Sequence, residues 1–467
     1  MAKGFECIKG NFGVSNEIGL FELLSGRSGI RIPSGAPRKR TFVKDKGAFP
    51  VKSVLADGVR ISRKNDSLFP FAFCRRVCYD NGIGFFFKKG RDRYDLKHAR
   101  VLNSSTHRFD REAVVIENGR IVSFDGNADG EVFDCEGLFV LPGMIDTHIH
   151  GFGGEEFAKP EGDFGKAPSI LSDDGVTGFA ATVRCMPLDE IAACMKNAAA
   201  HIGQATGGAK VLGIHCEGPF VSEERRGAMH PPRLTCDVAT MQTLLDAANG
   251  HLKLMTIAPE RENAAAVIAH ATQNGVACSM GHTDATYAVA EAAVDSGARR
   301  ATHVFNAMRP LSHRETGILG VSLTDDRVHC EMIADFVHLD PATVKLVYRA
   351  KGAENITLIS DAGRMSGLPN GQYEVGGILR TVKDGLCLDP EGRIAGSCFS
   401  MLKGAQNLLS LGIPLEEIAQ MASENPAKAL GMFDTVGSID IGKQADLIVC
   451  DEKLHIRAVF VDGIQVK

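Results

Sequence analysis

The chain has 467 residues, 44% of them hydrophobic, with 51 glycines and a net charge of −5. That balance belongs to a soluble α/β chain with a large core and excludes global disorder, and the lack of any apolar run of about 18 residues excludes a helical membrane span. Thirteen cysteines, an odd number without C-x-x-C spacing, read as free thiols in a reducing compartment rather than as a disulfide framework.

Lys3, Glu6 and Lys9 interrupt the N-terminus before a signal-peptide apolar core can form, so a cytoplasmic location is expected. Residues 1–100 carry 21 Lys and Arg against 9 Asp and Glu, whereas the remainder carries 31 against 48. The same segment holds 11 of the 25 phenylalanines, in clusters such as Phe69, Phe71 and Phe73 and Phe85 to Phe87. No lasting helical or strand period runs through residues 1–93. A basic aromatic stretch can bind nucleic acid or a membrane, but the simpler expectation is a poorly ordered or mis-started extension, with neither partner.

From Asp95 short β-like runs follow, HARVL, AVVIENGRIVSF and EGLFVLPG, separated by turn clusters, which predicts a small antiparallel unit. Eight apolar, β-rich runs come next: MIDTHIH, VTGFAATV, KVLGIHCEG, LKLMTIAP, VACSMGHT, RATHVFNAM, HCEMIADFVH and ITLISDAG. Helix-like stretches such as PLDEIAACMKNAAAHI separate many of them, and eight βα units predict a closed (β/α)₈ TIM-like barrel. The chain ends on alternating strands and glycine turns, from GRIAGS near Gly392 to the last residue. The expected fold is α/β, with the barrel over 142–389 and a β-sandwich built from the flanking segments 94–141 and 390–467.

Polar residues fall at or just after the ends of the eight runs: His148, His150, Glu217, His282, His303, Asp335, His338 and Asp361. In this fold those ends converge on the face that carries active sites. His148 and His150 stand at i and i+2 on a strand, so both imidazoles point the same way and can meet one metal ion. Any one of these histidines alone reads more readily as a satisfied core or surface residue. Four of them with two acids, on five strands, are hard to explain by packing, because ionisable groups are costly to bury unless paired or metal-bound. Imidazoles and carboxylates suit Zn²⁺ or Fe²⁺, and a metal with an open position lowers the pKa of its water to about 7. Asp361, closing the eighth run, fits a general base; its alternative is a helix N-cap.

The consecutive motifs LPGMIDTHIHG, HCEGPF, GAMHPP, GHTDATY, THVFNAM with HRETG, IADFVH, ISDAG and AGSCFSM resemble those of the N-acetylglucosamine-6-phosphate deacetylases of the amidohydrolase superfamily, in order, over residues 95–467. The resemblance implies hydrolysis of the acetamide of N-acetylglucosamine 6-phosphate, with Glu217, His282 and His303 binding the catalytic metal and Asp361 as acid and base. It gives His230 the acetyl carbonyl, and Arg314 with His338 the sugar phosphate, one of that pair coming from a neighbouring subunit of a homodimer. Asn306 and Ala307 match backbone phosphate contacts, and the substrate side extends to Met229, Ile394, Ala395 and Gly396. An Arg fork and an imidazole make a suitable cradle for a phosphate dianion. For Arg314 the plain alternative is a surface ion pair with Glu315, and for His230 an ordinary loop histidine.

Members that keep both histidines of the H-x-H can hold two metals, so one or two divalent ions per subunit are expected here, with Glu217 bridging in the second case. Cys398-Phe399-Ser400 stands where Ala-Leu-Thr is more usual. Two rival substrates remain, N-acetylgalactosamine 6-phosphate and a cyclic amide of the dihydroorotase or hydantoinase kind. The latter enzymes typically bridge their metals with a carboxylated lysine, which IHCEGPF lacks. A non-enzymatic barrel protein recruited to nucleic acid by its basic segment would need the metal residues to be idle.

Overall fold

The computed structural model describes residues 74–79, 82–87, 93–126, 130–227, 229, 234–375, 378–392 and 394–467. The chain divides into two compact units, Met1–Lys88 and Lys89–Lys467. In the first, Cys74–Tyr79 and Gly82–Phe87 form an antiparallel hairpin, with Cys74 opposite Phe87 and Tyr79 opposite Gly82. The aromatic run GIGFFF has no polar alternation, so the sequence carries no strand period there.

In the second unit eight parallel strands follow one another in sequence order. They are β1 (Met144–Ile149), β2 (Val176–Arg184), β3 (Lys210–Glu217), β4 (Leu252–Ile257), β5 (Ala277–Met280), β6 (Arg300–Ala301), β7 (His329–Ile333) and β8 (Ile356–Ile359). Most of their residues are buried on both faces, which is why they read as continuous apolar runs rather than alternating ones. The ring closes between its ends: Ile149 bridges Ala362 in parallel, the His150 N–H donates to the Ala362 carbonyl at 2.8 Å, and the Asp361 N–H to the His148 carbonyl at 3.0 Å.

A helix follows each strand: α1 (Ala167–Asp173), α2 (Leu188–His201), α3 (Val238–Ala248), α4 (Ala264–Gln273), α5 (Tyr287–Asp295), α6 (Gly317–Thr324), α7 (Pro341–Lys351) and α8 (Met401–Ser410). Local signals start two of them. The Asp237 carboxylate accepts from the Thr240 N–H, and that of Asp340 from the Ala342 N–H ahead of Pro341. The main apolar core lies between strands and helices, with Phe179, Met255, Ile268 and Val344 among its buried members.

The flanking segments build two further sheets around a second core. Ile464–Gln465, Ile456–Val461, Leu447–Cys450, Phe139–Pro142, Arg100–Asn103 and Arg108–Arg111 make one; Arg120–Ser123, Val114–Glu117, Arg93–Lys97 and Glu131–Asp134 make the other. Leu96, Ile116 and Ile121 from the second sheet pack with Val140, Leu447 and Phe460 from the first. The unit is mixed rather than purely antiparallel, because Arg93–Lys97 pairs in parallel with Glu131–Asp134, and Arg100–Asn103 with Phe139–Pro142. The run near Gly392 joins neither sheet. Ile394–Ser397 pairs antiparallel with Leu386–Leu388, in a separate four-stranded sheet with Gly371–Val375 and Ile378–Lys383. Met401–Ser410 and the run from Leu415 to Ala429, grouped by sequence with the terminal β unit, are helical, and Met401, Ala405, Leu408 and Met421 are buried in the barrel's core.

Lys210, which opens β3 at the end of the barrel away from the polar cluster, ties these parts together. Its Nζ donates to Gln444 at 2.7 Å, to Asp446 at 2.8 Å and to Asp462 at 2.7 Å.

Candidate metal centre

Six of the polar residues at the strand ends meet around one carboxylate. Glu217, the last residue of β3, is buried, and four imidazoles present Nε2 to it: His148 at 3.1 Å, His150 at 3.1 Å, His282 at 3.1 Å and His303 at 3.2 Å. Asp361 completes the ring, its Oδ1 lying 3.5 Å from His148 Nε2 and 3.3 Å from His150 Nε2. The potential ligand atoms of Glu217, His282 and His303 lie within 4.8 Å of one another, and so do those of His148, His150 and Asp361. The strand i, i+2 rule puts His148 and His150 on one face as the sequence predicts.

The backbone is shaped to bring the others in. His282, His303 and Asp361 have φ of 47°, 30° and 49°, a left-handed conformation that non-glycine residues rarely adopt. Each follows the end of its strand, where the turn swings the side chain inward over the barrel mouth. Gly281 makes room for one of these turns, since a Cβ there would come within 2.6 Å of the Thr302 side chain. The β6 strand is only two residues long because its continuation becomes such a turn, with Phe305 and Ala307 also at positive φ.

This donor set fits a divalent metal. Nε2 of His148 is buried and has no hydrogen-bond partner among the described residues, though it faces a carboxylate oxygen at 3.1 Å. His282 and His303 bring their Nε2 atoms within 3.0 Å of each other, a crowding that a shared positive ion resolves. Burial opposes ionisation of Glu217, but the charges of His148 and His150 hold its carboxyl well below the usual range. The same opposition acts on Asp361, where the two imidazoles again win, so it is ionised at neutral pH. Asp361 is the more open of the two carboxylates, with 22% of its side chain exposed against 3% for Glu217. A group that must exchange protons with water and substrate needs that access.

The remaining sequence-selected residues lie on separate segments. Asn306 and Ala307 lie on the turn after His303, where the Asn306 N–H donates to the His303 carbonyl at 2.9 Å. His338 lies beyond β7 and is held by Asp335, Nδ1 to Oδ2 at 2.8 Å; burial lowers its pKa, but that bond and the charges of Asp335 and Asp361 raise it above its usual value. Arg314 is exposed and makes no ion pair with Glu315 among the described residues; the Glu315 Oε1 accepts the Tyr287 and Gly317 N–H groups, both at 2.9 Å. Asp361 is not a helix N-cap either; its turn serves barrel closure. Met229 is half-buried, Ile394, Ala395 and Gly396 lie on the last strand of the four-stranded sheet, and His230 lies outside the described residues.

Beneath the ring the barrel interior is polar, which sequence reasoning missed. Glu331, Arg300, His215 and Asp146 are all buried there. Asp146 accepts the His148 and Ser360 N–H groups at 3.2 and 3.3 Å, and His215, its pKa pushed down to about 3 by burial and by the His148 charge, bonds Thr256 Oγ1 at 2.9 Å. The available signal was a charged residue in the middle of an apolar run, as in HCEMI, which cannot be buried without a partner.

The described residues contain no helix long and apolar enough to cross a membrane, and the ten cysteines from Cys135 to Cys450 are buried and free. The amidohydrolase family model matches residues 139–466. N-acetylglucosamine-6-phosphate deacetylase of Bacillus subtilis (strain 168) is 39% identical over 68% of this chain and 82% of its own length. N-acetylgalactosamine-6-phosphate deacetylase of Escherichia coli O157:H7 is 34% identical over 71% of this chain and 89% of its own. Among solved structures, a mutant N-acetyl-D-glucosamine-6-phosphate deacetylase from Mycobacterium smegmatis in complex with N-acetyl-D-glucosamine-6-phosphate superposes with a TM-score of 0.71 at 32% identity, covering 80% of this chain and 99% of that one.

Proposed function

From the premise that the chain belongs to the amidohydrolase family, and within it to the N-acetylglucosamine-6-phosphate deacetylases, we propose that it hydrolyses the acetamide of N-acetyl-D-glucosamine 6-phosphate to D-glucosamine 6-phosphate and acetate. The observation that carries the reading is the convergence of His148, His150, His282 and His303 on Glu217, with the ionised Asp361 beside them. Glu217, His282 and His303 hold one Zn²⁺ or Fe²⁺, and His148 and His150 with Asp361 are the donors for a second. When bound, such an ion acidifies water and polarises an amide carbonyl.

The protein side of the reaction then follows. Asp361 accepts a proton from the water that adds to the acetamide carbon, and it delivers that proton to the sugar nitrogen as the C–N bond breaks. His230 takes the acetyl carbonyl by family resemblance. Asn306, Ala307 and His338 surround the sugar phosphate, and Arg314, exposed and unspent on Glu315, serves it in a homodimer, either within its own subunit or across the interface. Met229 and the Ile394 to Gly396 strand line the sugar. A lysine-bridged cyclic amidase is disfavoured, because the only lysine on β3, Lys210, is at the opposite end of the strand and bound to Asp446.

Acetate release from N-acetylglucosamine 6-phosphate, from its galacto epimer and from unphosphorylated N-acetylglucosamine tests the reading. Release that needs the phosphate, prefers the gluco epimer and falls by about 10²–10⁴ in Asp361→Asn, with the ion of Glu217, His282 and His303 retained, is the expected result. Release from none of the three overturns it.

A further inference from the structure

We propose that Glu331 is the positioning residue that builds the His148 side of the metal centre, fixing which nitrogen of His148 carries the hydrogen and where the other one points. The inference rests on the metal reading above.

Glu331 stands in the middle of β7, fully buried, on none of the strand ends. Its Oε2 lies 3.2 Å from His148 Nδ1 and 3.4 Å from the backbone nitrogen of His303, which donates to it. One carboxylate oxygen thus touches a member of each ligand group. A carboxylate only accepts, so His148 Nδ1 carries a hydrogen toward Glu331; Nε2 points at Glu217 Oε1 at 3.1 Å and Asp361 Oδ1 at 3.5 Å, and once a metal ion displaces the Nε2 hydrogen the imidazole is left with its hydrogen on Nδ1. That is the tautomer a metal requires.

The charge that does this is itself supported. Arg300, buried on β6, brings Nη2 within 3.6 Å of Glu331 Oε1 and donates to Thr357 Oγ1 at 3.0 Å. His215 packs edge-on against the His148 ring at a centroid distance of 4.5 Å, closing the other side. His150 has no such support: its Nδ1 is buried without a hydrogen-bond partner among the described residues. Of the two H-x-H imidazoles, His148 is the one whose orientation is built into the barrel.

Calorimetric titration of metal-stripped protein with Zn²⁺ tests this, on the unmodified chain, Glu331→Gln, Glu331→Gln with Arg300→Met, His148→Asn, and Glu331→Gln with His148→Asn. The Arg300→Met pairing leaves no uncompensated charge should the single glutamine variant fold poorly. The unmodified chain is expected to bind two ions. Both Glu331 variants should bind the second about 10–100-fold more weakly, and adding Glu331→Gln to His148→Asn should cost nothing more. Unchanged affinity in the Glu331 variants, multiplied losses in the Glu331 and His148 pair, or an inert His148→Asn overturns the proposal. The tautomer is read without any variant from ¹H–¹⁵N correlations of the Zn²⁺-loaded imidazoles, where Nδ1–H on His148 is expected and Nε2–H refutes it. Acetate release by the unmodified chain is scored separately, so failure of the deacetylase reading is not mistaken for failure of this one.

Discussion

His282, His303 and Asp361 share an unusual property, a left-handed backbone in a residue that is not glycine. Such conformations cost on the order of 1–3 kcal/mol each and persist where surrounding structure over-determines them. Sequence shows the residue types at the strand ends but not this backbone, so the set was legible while its means of convergence was not. Arg314 shows the opposite case. Its type and motif mark it, and the structure adds that Glu315 is engaged elsewhere. Replacing Arg314 with Met should raise KM for the phosphorylated sugar about 10–100-fold, the scale of a lost charge-assisted contact, and leave the unphosphorylated sugar unaffected. Steady-state kinetics on both sugars decides; equal effects on the two would place Arg314 outside the phosphate site.

At the scale of elements, the eight barrel strands were readable because a parallel strand buried on both faces is an uninterrupted apolar run. What escaped was of two kinds. Pairing partners are not written in a run, so the parallel pairings of Arg93–Lys97 and Arg100–Asn103 and the separate sheet of Ile394–Ser397 had no local signal. Polar residues inside runs, such as Glu331 and Arg300, were overshadowed by those at run ends. The β7 strand carries a further titratable group, His329, at its start. Burial chiefly, then Arg300, Lys351 and Lys428, push its pKa down to about 4. Between pH 6.5 and 4 the unfolded chain therefore binds a proton that the folded chain refuses, so stability is full above about 6.5 and is lost as pH falls through that window. For a partly buried ring about 1–2 kcal/mol is expected. Thermal unfolding across this range should show that decline, and His329→Asn should flatten it; an identical slope in the variant would assign the decline to other groups. Lys210 joins β3 to the C-terminal segment in the same physical terms. Lys210→Met strands Asp446, whose side chain is 6% exposed, and should cost about 3–5 kcal/mol in urea unfolding. Because Lys210 lies at the end of the barrel away from the metal centre, acetate release by the folded variant should be unchanged. A cost below about 1 kcal/mol would mean that Asp446 is neutralised or rehydrated once its partner is gone.

In the whole molecule, both apolar cores, the six converging side chains and the Lys210 junction lie within Lys89–Lys467. The outer sheets are built from chain on both sides of the barrel in sequence, 93–142 and 447–465, and Phe139–Pro142 pairs directly with Leu447–Cys450. Residues 1–100 contrast with it in charge, 21 basic against 9 acidic, where the rest of the chain has 31 against 48. An acidic body does not draw a phosphate dianion by its overall field; attraction has to come from a few local cations such as Arg314 and His338. At physiological salt charges are screened over about 8 Å, so a basic residue adds to that attraction only from within that range. A chain beginning at Lys89 should therefore keep the thermal midpoint, metal content and acetate release of the full chain when both are compared at about 0.15 M salt. If the shortened chain loses stability, residues before Lys89 complete one of the cores. If it keeps stability but loses turnover, they act on the substrate, and a salt-dependent difference in KM would identify that action as electrostatic.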